Sequence, residues 1–275
     1  MEKPEEYSFL AEENITINKD VPSVREIQDA VCTFKDGKNC GSDKMKTEGL
    51  KYNNSNLLLE RILALLVLIW SILLIPSAWL HSNITCLYKK GVKSIASNYR
   101  GISIGANMSR ILSKIIIGRI KEAYEKHISE AQFGFRRNRS TTDGIFILRN
   151  VIQKTKDPLI AIYVDLSAAY DHIPRDFLFR VLKLRLQAPH IIDVLHLMYA
   201  GTTASIKGMR STFDVLVGCR QGGQESPCLF NYYFDFVLKV AAREIDKLYP
   251  DGWGFHLTIT SLNFALTGNN AALPP

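Results

Sequence analysis

Apolar residues recur at helical spacing in several stretches of the chain. Over residues 108–127, isoleucine and leucine return every three or four positions, with lysine and arginine on the opposite face. This period is typical of an amphipathic helix that packs one face on a core. Residues 140–154 repeat the pattern after Ser-Thr-Thr-Asp, and residues 23–26, Ser-Val-Arg-Glu, have the form of a capping box. The predicted helices cover residues 24–34, 108–127, 140–154, 177–186, 191–200 and 227–248.

Short β-branched and aromatic runs bounded by turn residues predict the strands. The clearest is residues 160–164, Ile-Ala-Ile-Tyr-Val, which ends at Asp165. Residues 205–208 and 213–218 are spaced as a hairpin, and further strands are predicted over 84–87 and 258–265. Because strands and helices interleave without strict alternation, the predicted fold class is α+β.

The longest apolar stretch covers residues 62–80 and contains no charged residue. As a helix, its roughly 19 residues would span about 28 Å, close to the thickness of a bilayer core. On hydropathy alone, a single-span membrane protein is one interpretation. Pro76, however, predicts that the helix ends near Ile75, leaving about 14 residues, a length more typical of a buried helix. We expect a buried helix over residues 57–75, with the membrane span as the alternative.

Composition places the chain among ordinary globular proteins, with 47% hydrophobic and 22% charged residues. The net charge of +7 permits a polyanionic partner without demonstrating one. The five cysteines have no C-x-x-C spacing, so a zinc site is not expected. Their odd number and scatter favour a reducing compartment. The expected location is therefore intracellular, in the cytoplasm or nucleus, with the membrane as the alternative.

Candidate chemistry begins at Asp165, because a carboxylate just past a buried strand is held rigidly enough to ligate a metal ion. For that residue taken alone, capping of a helix or turn is the simpler interpretation. Residues 218–231 are a second candidate, a glycine-rich turn that opens a helix. Glycine permits close approach to a bulky ligand and a helix N-terminus favours anions, although an ordinary loop has the same composition. Neither stretch alone separates a functional role from a structural one.

Taken together, these stretches resemble motifs of reverse transcriptases from non-LTR (LINE-type) retrotransposons. Residues 163–171, Tyr-Val-Asp-Leu-Ser-Ala-Ala-Tyr-Asp, resemble the first palm motif, with its aspartate and an aromatic residue five positions later. The motif G-x-R-Q-G-x-x-x-S-P-x-L-F-N is matched at Gly218, Arg220, Gln221, Gly222, Ser226, Pro227, Leu229, Phe230 and Asn231.

Upstream stretches follow the family's order. Residues 132–136 and 140–143 resemble the fingers motifs Q-x-G-F-R and S-T-x-D, and residues 98–103 resemble N-Y-R-P-I-S, with Gly101 in place of proline. Residues 76–91 resemble a P-x-x-W … Y-K-K-G stretch, which places the apolar run inside the fold. The resemblance implies an incomplete right-hand polymerase without a thumb: a polar leader at 1–23, an N-terminal extension and fingers at 24–159, a truncated palm at 160–265 and an aberrant tail at 266–275.

The resemblance also implies a nucleotidyl-transfer site. Asp165 would be catalytic and, with the backbone carbonyl of Leu166, would bind Mg²⁺. Tyr170 would disfavour a 2′-hydroxyl on the nucleotide. The other residues expected to hold the nucleotide are Arg100, Lys90, Gln221 and Gly222. The residues expected to face the template are Arg136, Arg137 and Arg139, for which a solvated basic loop is the alternative. The implied partners are an RNA template, a DNA primer and dNTPs.

The chain departs from the family pattern where an aromatic-Ala-Asp-Asp turn should complete the metal site. Phe264 and Ala265 fit, but Leu266 and Thr267 stand at the two aspartate positions, and no Asp or Glu follows Asp251. A single carboxylate cannot hold two divalent ions against their mutual repulsion. We therefore expect a reverse transcriptase domain that is inactive as written, either a decayed copy or a chain whose frame changes after residue 265. The alternatives are a nucleic-acid-binding remnant without catalysis and the membrane protein.

Overall fold

The computed structural model describes residues 15–53, 55–156, 163, 165–220 and 222–248, and the backbone alone of 255–260 and 263–268. Helices and two small sheets make up this part of the chain, which confirms the predicted α+β class. The chain divides into two compact units. The first contains the residues up to 124 and Ser167–Phe230, and the second contains Glu125–Leu166 and the residues from 231 onward. Both units draw on the predicted fingers and palm, so those boundaries stay a prediction.

Helices provide most of the first unit's core. They are α1 (Val24–Cys32), α2 (Thr47–Lys51), α3 (Asn56–Ile72), α4 (Ser77–Leu80), α5 (Asn107–Tyr124), α7 (Arg175–Leu186) and α8 (Pro189–Leu197). Helix α1 begins at the predicted capping box: the Glu26 amide donates to Ser23 Oγ at 3.3 Å, and the Ser23 amide donates to the Glu26 carboxylate at 2.9 Å. Arg119 of α5 donates to the same carboxylate at 2.6 Å, which ties α1 to α5.

Helix α3 carries the apolar run but is shorter and less buried than predicted. It ends at Ile72, where Leu73 turns left-handed with φ +53°. Leu68 and Ile72 are each about half exposed, so only one face of the helix packs on the core. The residues of that buried face are Ile62, Leu66, Ile69 and Trp70. The prediction of a buried helix through Ile75 is therefore wrong at its end and on its outer face. Across the described part of the chain, no helix combines the length and apolar character needed to cross a membrane.

The sheet of the first unit has the strand order β2-β1-β3-β4. Its strands are β1 (His81–Tyr88), β2 (Tyr99–Gly105), β3 (Thr203–Ile206) and β4 (Thr212–Asp214). β1 pairs antiparallel with β2 and parallel with β3, and β3 pairs antiparallel with β4. The predicted hairpin near residue 210 is confirmed in its pairing, and β2, which aligns Arg100 opposite Leu87, adds a strand that the periodicity did not indicate.

The second unit contains α6 (Thr141–Lys154), and α9 (Ser226–Leu248) contributes residues to both units. Helix α6 begins where the sequence predicted a helix, and a capping box between Ser140 and Asp143, which was not predicted, starts it. The strands β5 (Phe255–Thr260) and β6 (Asn263–Gly268) pair antiparallel. The prediction of one strand over residues 258–265 is wrong, because the described residues of this range belong to two separate strands that pair antiparallel. Most of the strand predicted over residues 160–164 lies outside the described residues.

Candidate functional site

The glycine-rich turn of residues 218–226 lies against the segment Tyr170–Ile173. The Cys219 amide donates to the Tyr170 carbonyl at 2.8 Å, and the Gly218 amide donates to the Ile173 carbonyl at 2.9 Å. Gly218 has φ +80°, and a β-carbon there would lie 2.7 Å from the Tyr170 carbonyl oxygen and 2.8 Å from that of Asp171. Only glycine fits this conformation and this spacing. Two motifs separated by nearly fifty residues in sequence therefore meet through their backbones.

The same turn also approaches strand β2 at Gly222. This glycine has φ +103°, and a β-carbon would lie 2.8 Å from the Ser103 carbonyl oxygen and 3.1 Å from a methyl carbon of Ile102. The stretch that resembles N-Y-R-P-I-S thus contacts the glycine-rich turn, and the predicted nucleotide-binding residue Gly222 lies at the junction. Its neighbour Gln221 falls outside the described residues.

The buried carboxylate of Glu225 connects the glycine-rich turn to α5 and to Tyr199. Glu225 is 4% exposed, and its two oxygens accept hydrogen bonds from Ser113 of α5 at 2.7 Å and from the Tyr199 hydroxyl at 3.0 Å. Burial, followed by the Glu225 charge, raises the pKa of Tyr199 well above its ordinary value, which keeps the hydroxyl a donor. Ser226 closes the turn by donating to the Arg220 carbonyl at 2.7 Å. The turn is therefore held by hydrogen bonds at both ends.

Arg175 is a supporting residue that the motifs did not indicate. It is 8% exposed, and its Nε donates to the Gly218 carbonyl at 2.9 Å. Its Nη1 donates to the Tyr199 carbonyl at 2.8 Å and to Thr202 Oγ1 at 2.7 Å. Burial lowers the pKa of Arg175, since desolvation disfavours its charge. The only sequence signal was a charged residue directly after Pro174, at the start of a helix.

Tyr170 points its ring toward α9. It stacks on Phe230 with the ring centroids 5.0 Å apart and the planes 27° from parallel. The side chain is half-buried, and burial, followed by the neighbouring Cys219, raises the pKa of its hydroxyl. Tyr170 belongs to the first palm motif and Phe230 to the glycine-rich motif. This ring contact is therefore a second one between the two motifs, after the hydrogen bond from Cys219.

Asp165 and Leu166 are exposed and lie outside any helix or strand, at the end of a segment of the second unit. Among the described residues, no group of three or more His, Cys, Asp or Glu side chains is placed to hold a metal ion. Positions 266 and 267 supply leucine and threonine, which carry no carboxylate. The donor set present does not fit a pair of divalent ions.

The predicted nucleotide-binding cations Lys90 and Arg100 lie on one hairpin. Arg100 is on β2, Lys90 is in the turn after β1, and both are exposed. The turn closes where the Lys89 amide donates to the Asn98 carbonyl at 2.8 Å. Gly91 lies in this turn with φ +97°, and a β-carbon there would lie 2.7 Å from the side-chain Nδ2 of Asn98.

Comparison with known proteins decides the family. A model described as reverse transcriptase (RNA-dependent DNA polymerase) matches residues 87–257, more than half of the 275-residue chain. The chain belongs to the reverse transcriptase family. The matched range contains the first palm motif, the fingers motifs and the glycine-rich turn. With the retrotransposon relatives that follow, it confirms the resemblance to a non-LTR reverse transcriptase domain.

Similar proteins come from mobile elements of two animals. The probable RNA-directed DNA polymerase from transposon BS of Drosophila melanogaster is 26% identical over 177 residues, 61% of this chain and 19% of that protein. A putative 115 kDa protein in the type-1 retrotransposable element R1DM of the same fly is 24% identical over 60% of this chain and 16% of its own length. The transposon TX1 uncharacterized 149 kDa protein of Xenopus laevis is 24% identical over 63% and 14%. The reverse transcriptase chain thus spans less than a fifth of these relatives.

The three arginines expected at the template differ in their surroundings. Arg136 is 5% exposed in its side chain and pairs with Glu125 at 3.0 Å, while Arg139 pairs with Glu130. Arg136 Nη1 also donates to the Ser129 carbonyl at 2.8 Å. Arg137 is exposed, with no ion pair inside the described ranges. Two of the three therefore stabilise their own loop.

Asn231, the last residue of the glycine-rich motif, links α9 to the fingers motif at residues 132–136 of this reverse transcriptase. It is 3% exposed, its Nδ2 donates to the Gly134 carbonyl at 2.7 Å, and its Oδ1 accepts from Gln132 at 3.4 Å. The sequence matched all three residues to motifs but gave no reason for their pairing. The structure supplies one: a buried amide that satisfies a loop carbonyl.

Proposed function

We propose that this reverse transcriptase domain keeps the fingers and palm of a right-hand polymerase and binds its substrates, but does not extend a primer as written. The fingers, with an N-terminal extension, occupy residues 24–159 and the palm residues 160–265. The observation that carries the inactivity is the pair Leu266 and Thr267 at the position of the family's two aspartates. The close packing of Gly218 on Tyr170 and Asp171 supports an otherwise intact palm.

Each predicted substrate contact is assigned to a particular residue. Arg100 and Lys90, on one exposed hairpin, would hold the triphosphate of a dNTP, because guanidinium and ammonium groups donate to phosphate oxygens. Tyr170 would contact the sugar and disfavour a 2′-hydroxyl, with Gln221 and Gly222 beside the base pair. Of the template-facing arginines, Arg137 is the best placed, since Arg136 and Arg139 are engaged in ion pairs. The proposed template is RNA and the proposed primer is DNA, and the proposed location is the cytoplasm or nucleus.

The metal chemistry is where the proposal departs from the family. Reverse transcriptases use divalent metal ions, and Mg²⁺ prefers carboxylate and carbonyl oxygens. Asp165 and Leu166 offer one carboxylate and one carbonyl oxygen, fewer ligands than a two-ion site requires. We derive no catalytic step through Mg²⁺ in this chain.

Primer extension tests the proposal. The full chain, its Leu266→Asp/Thr267→Asp variant and that variant with Asp165→Asn would be given an RNA template, a labelled DNA primer, dNTPs and Mg²⁺. We expect no extension by the unaltered chain, extension by the double variant, and its loss when Asp165 is also replaced. Circular dichroism checks that each variant is folded, because two new aspartates in β6 change the composition of a strand.

The outcomes separate the parts of the proposal. Extension by the unaltered chain that depends on Asp165 would show that inactivity is wrong. Extension by none of the folded variants, together with no binding of primer–template, would overturn the polymerase interpretation itself.

A further inference from the structure

The segment of residues 136–142, Arg-Arg-Asn-Arg-Ser-Thr-Thr, places three arginines directly before three hydroxyl side chains. Residues 137–139 lie between the two fingers motifs, so those motifs do not explain the spacing. Arginine-directed serine/threonine kinases select an acceptor by arginines a few positions before it, because a guanidinium pairs well with carboxylates of the kinase cleft. The spacing therefore makes a hydroxyl of this segment a candidate acceptor of a phosphoryl group.

Ser140 is the hydroxyl that the structure presents best. Ser140, Thr141 and Thr142 are all exposed. The backbone of Ser140 is extended, with φ −137° and ψ 164°, whereas Thr141 and Thr142 already belong to α6. An extended residue can lie in a cleft with its side chain directed to one side, while a helical residue is crowded by its own turn. The backbone therefore favours Ser140 over its two neighbours.

Arg137, three positions before Ser140, is the arginine available to a kinase. It is exposed and makes no ion pair within the described ranges. By contrast, Arg136 pairs with Glu125 at 3.0 Å and Arg139 pairs with Glu130. Arg137 can therefore donate to a carboxylate of a kinase without first leaving a partner of its own.

A phosphate on Ser140 would act on the cap of α6. The Ser140 hydroxyl donates to the Asp143 carboxylate at 2.9 Å, and the Ser140 amide donates to the same oxygen at 2.7 Å. Phosphorylation removes the hydroxyl proton and adds about two negative charges at this position. Two anions within hydrogen-bond distance repel each other, so Asp143 would leave the Ser140 amide.

We propose that Ser140 is a phosphorylation site for a serine/threonine kinase directed by Arg137, and that its phosphorylation opens the capping box of α6. In the transfer, Ser140 Oγ forms a bond to the γ-phosphorus of ATP and the bond from that phosphorus to ADP breaks. The hydroxyl proton passes to a base of the kinase. The inference goes beyond the proposed function, because it requires neither a template nor primer extension.

The test incubates the full chain with γ-labelled ATP, Mg²⁺ and the catalytic subunit of cyclic-AMP-dependent protein kinase, an arginine-directed kinase. We expect label on Ser140, located by peptide mass spectrometry. Arg137→Gln should lower kcat/KM for labelling by about tenfold or more, since a charge-assisted hydrogen bond to the kinase is lost. Arg137→Lys keeps the charge and should retain more of the rate.

The matched control is Arg149→Gln, which removes an exposed arginine of α6 outside the segment of residues 136–142. It should be labelled as fast as the unaltered chain. Ser140→Ala should abolish labelling, and circular dichroism shows whether this variant, which lacks the cap, is folded. The Thr141→Ala/Thr142→Ala variant keeps the Ser140 cap and should keep its label, so the assignment does not depend on Ser140→Ala alone.

Hydrogen exchange of the phosphorylated chain tests the effect on α6. The Ser140 amide should exchange faster than in the unmodified chain, because Asp143 no longer accepts from it. Unchanged exchange would overturn the effect on the capping box.

Label on Thr141 or Thr142 in place of Ser140, or equal rates for Arg137→Gln and Arg149→Gln, would overturn the assignment. So would an unlabelled chain in a reaction where a standard substrate peptide is labelled. Primer extension by the Leu266→Asp/Thr267→Asp variant needs no kinase, so this proposal and the proposed function fail separately.

Discussion

The amide of Cys219 donates a 2.8 Å hydrogen bond to the carbonyl of Tyr170, and this bond joins two motifs that the sequence could only match separately. It brings the glycine-rich turn so close to the Tyr170–Asp171 peptide that no β-carbon fits at Gly218. The glycine of the motif is therefore explained by the backbone it contacts, as well as by its positive φ.

Replacing Gly218 by alanine should destabilise the first unit strongly. A matched control is Gly208→Ala, since Gly208 has a similar φ of +92° but nothing within 4 Å of an added β-carbon. The control should lose about 1–2 kcal/mol from backbone strain. Gly218→Ala should lose a further 1–3 kcal/mol or so from overpacking. Urea unfolding midpoints measure the difference, and equal losses would show that the close approach is not energetically important.

Local signals predicted the fold better than packing signals did. The capping boxes at Ser23 and Ser140 start helices where the sequence placed them, because a cap depends on residues three positions apart. The burial of α3 could not be predicted from its composition. Leu68 is as apolar as Leu66, yet one is 52% exposed and the other fully buried, since burial depends on which elements pack on which face.

In the candidate site, the motif residues could be predicted from the sequence and the buried residues that support them could not. Gly218 and Gly222 belong to a sequence motif, and in the structure they approach the carbonyl oxygens of Tyr170 and Ser103. Arg175 and Glu225 were not predicted as supports, because their partners are distant carbonyls and hydroxyls that no spacing rule reveals. Sequence matching selects candidate residues, whereas the buried groups that hold them are found only in the folded chain.

Glu26 should make stability depend on pH. Burial alone would raise its pKa, but hydrogen bonds from Arg119 and Ser23 outweigh burial and lower the pKa below the ordinary 4.5. A lowered folded-state pKa stabilises the protein above the unfolded value, and this stabilisation is lost as pH falls through the folded value. Glu26→Gln should therefore cost about 1.5–3 kcal/mol at pH 7 and less near pH 3. Urea unfolding at both values measures this.

The control for that experiment is Glu60→Gln, which alters an exposed glutamate of α3 without an ion pair in the described ranges. Its free energy of unfolding should change little at either pH. A Glu26→Gln loss as large at pH 3 as at pH 7 would contradict the ionic role of Glu26.

Cysteine labelling should distinguish the buried turn from the surface. Burial, followed by the Glu225 charge, raises the pKa of Cys219 to about 12, so its thiolate is scarce at pH 8. Cys32 and Cys86 are exposed and should react with iodoacetamide first. Peptide mass spectrometry gives the order of labelling, and unfolding in urea should make all the cysteines react alike. Native Cys219 reacting as fast as Cys86 would mean that the glycine-rich turn is open.

Asn231 should stabilise the second unit through its contacts with the loop of residues 129–139. Asn231→Ala removes the donor to the Gly134 carbonyl and leaves that carbonyl without its 2.7 Å partner, a change that should cost about 1–3 kcal/mol. Gln132→Ala is the matched control, because it removes only the longer 3.4 Å contact to the same asparagine and should cost less. Hydrogen exchange over residues 129–139 should quicken in Asn231→Ala and much less in Gln132→Ala. Equal exchange in the two variants would show that the buried amide of Asn231 does not order residues 129–139.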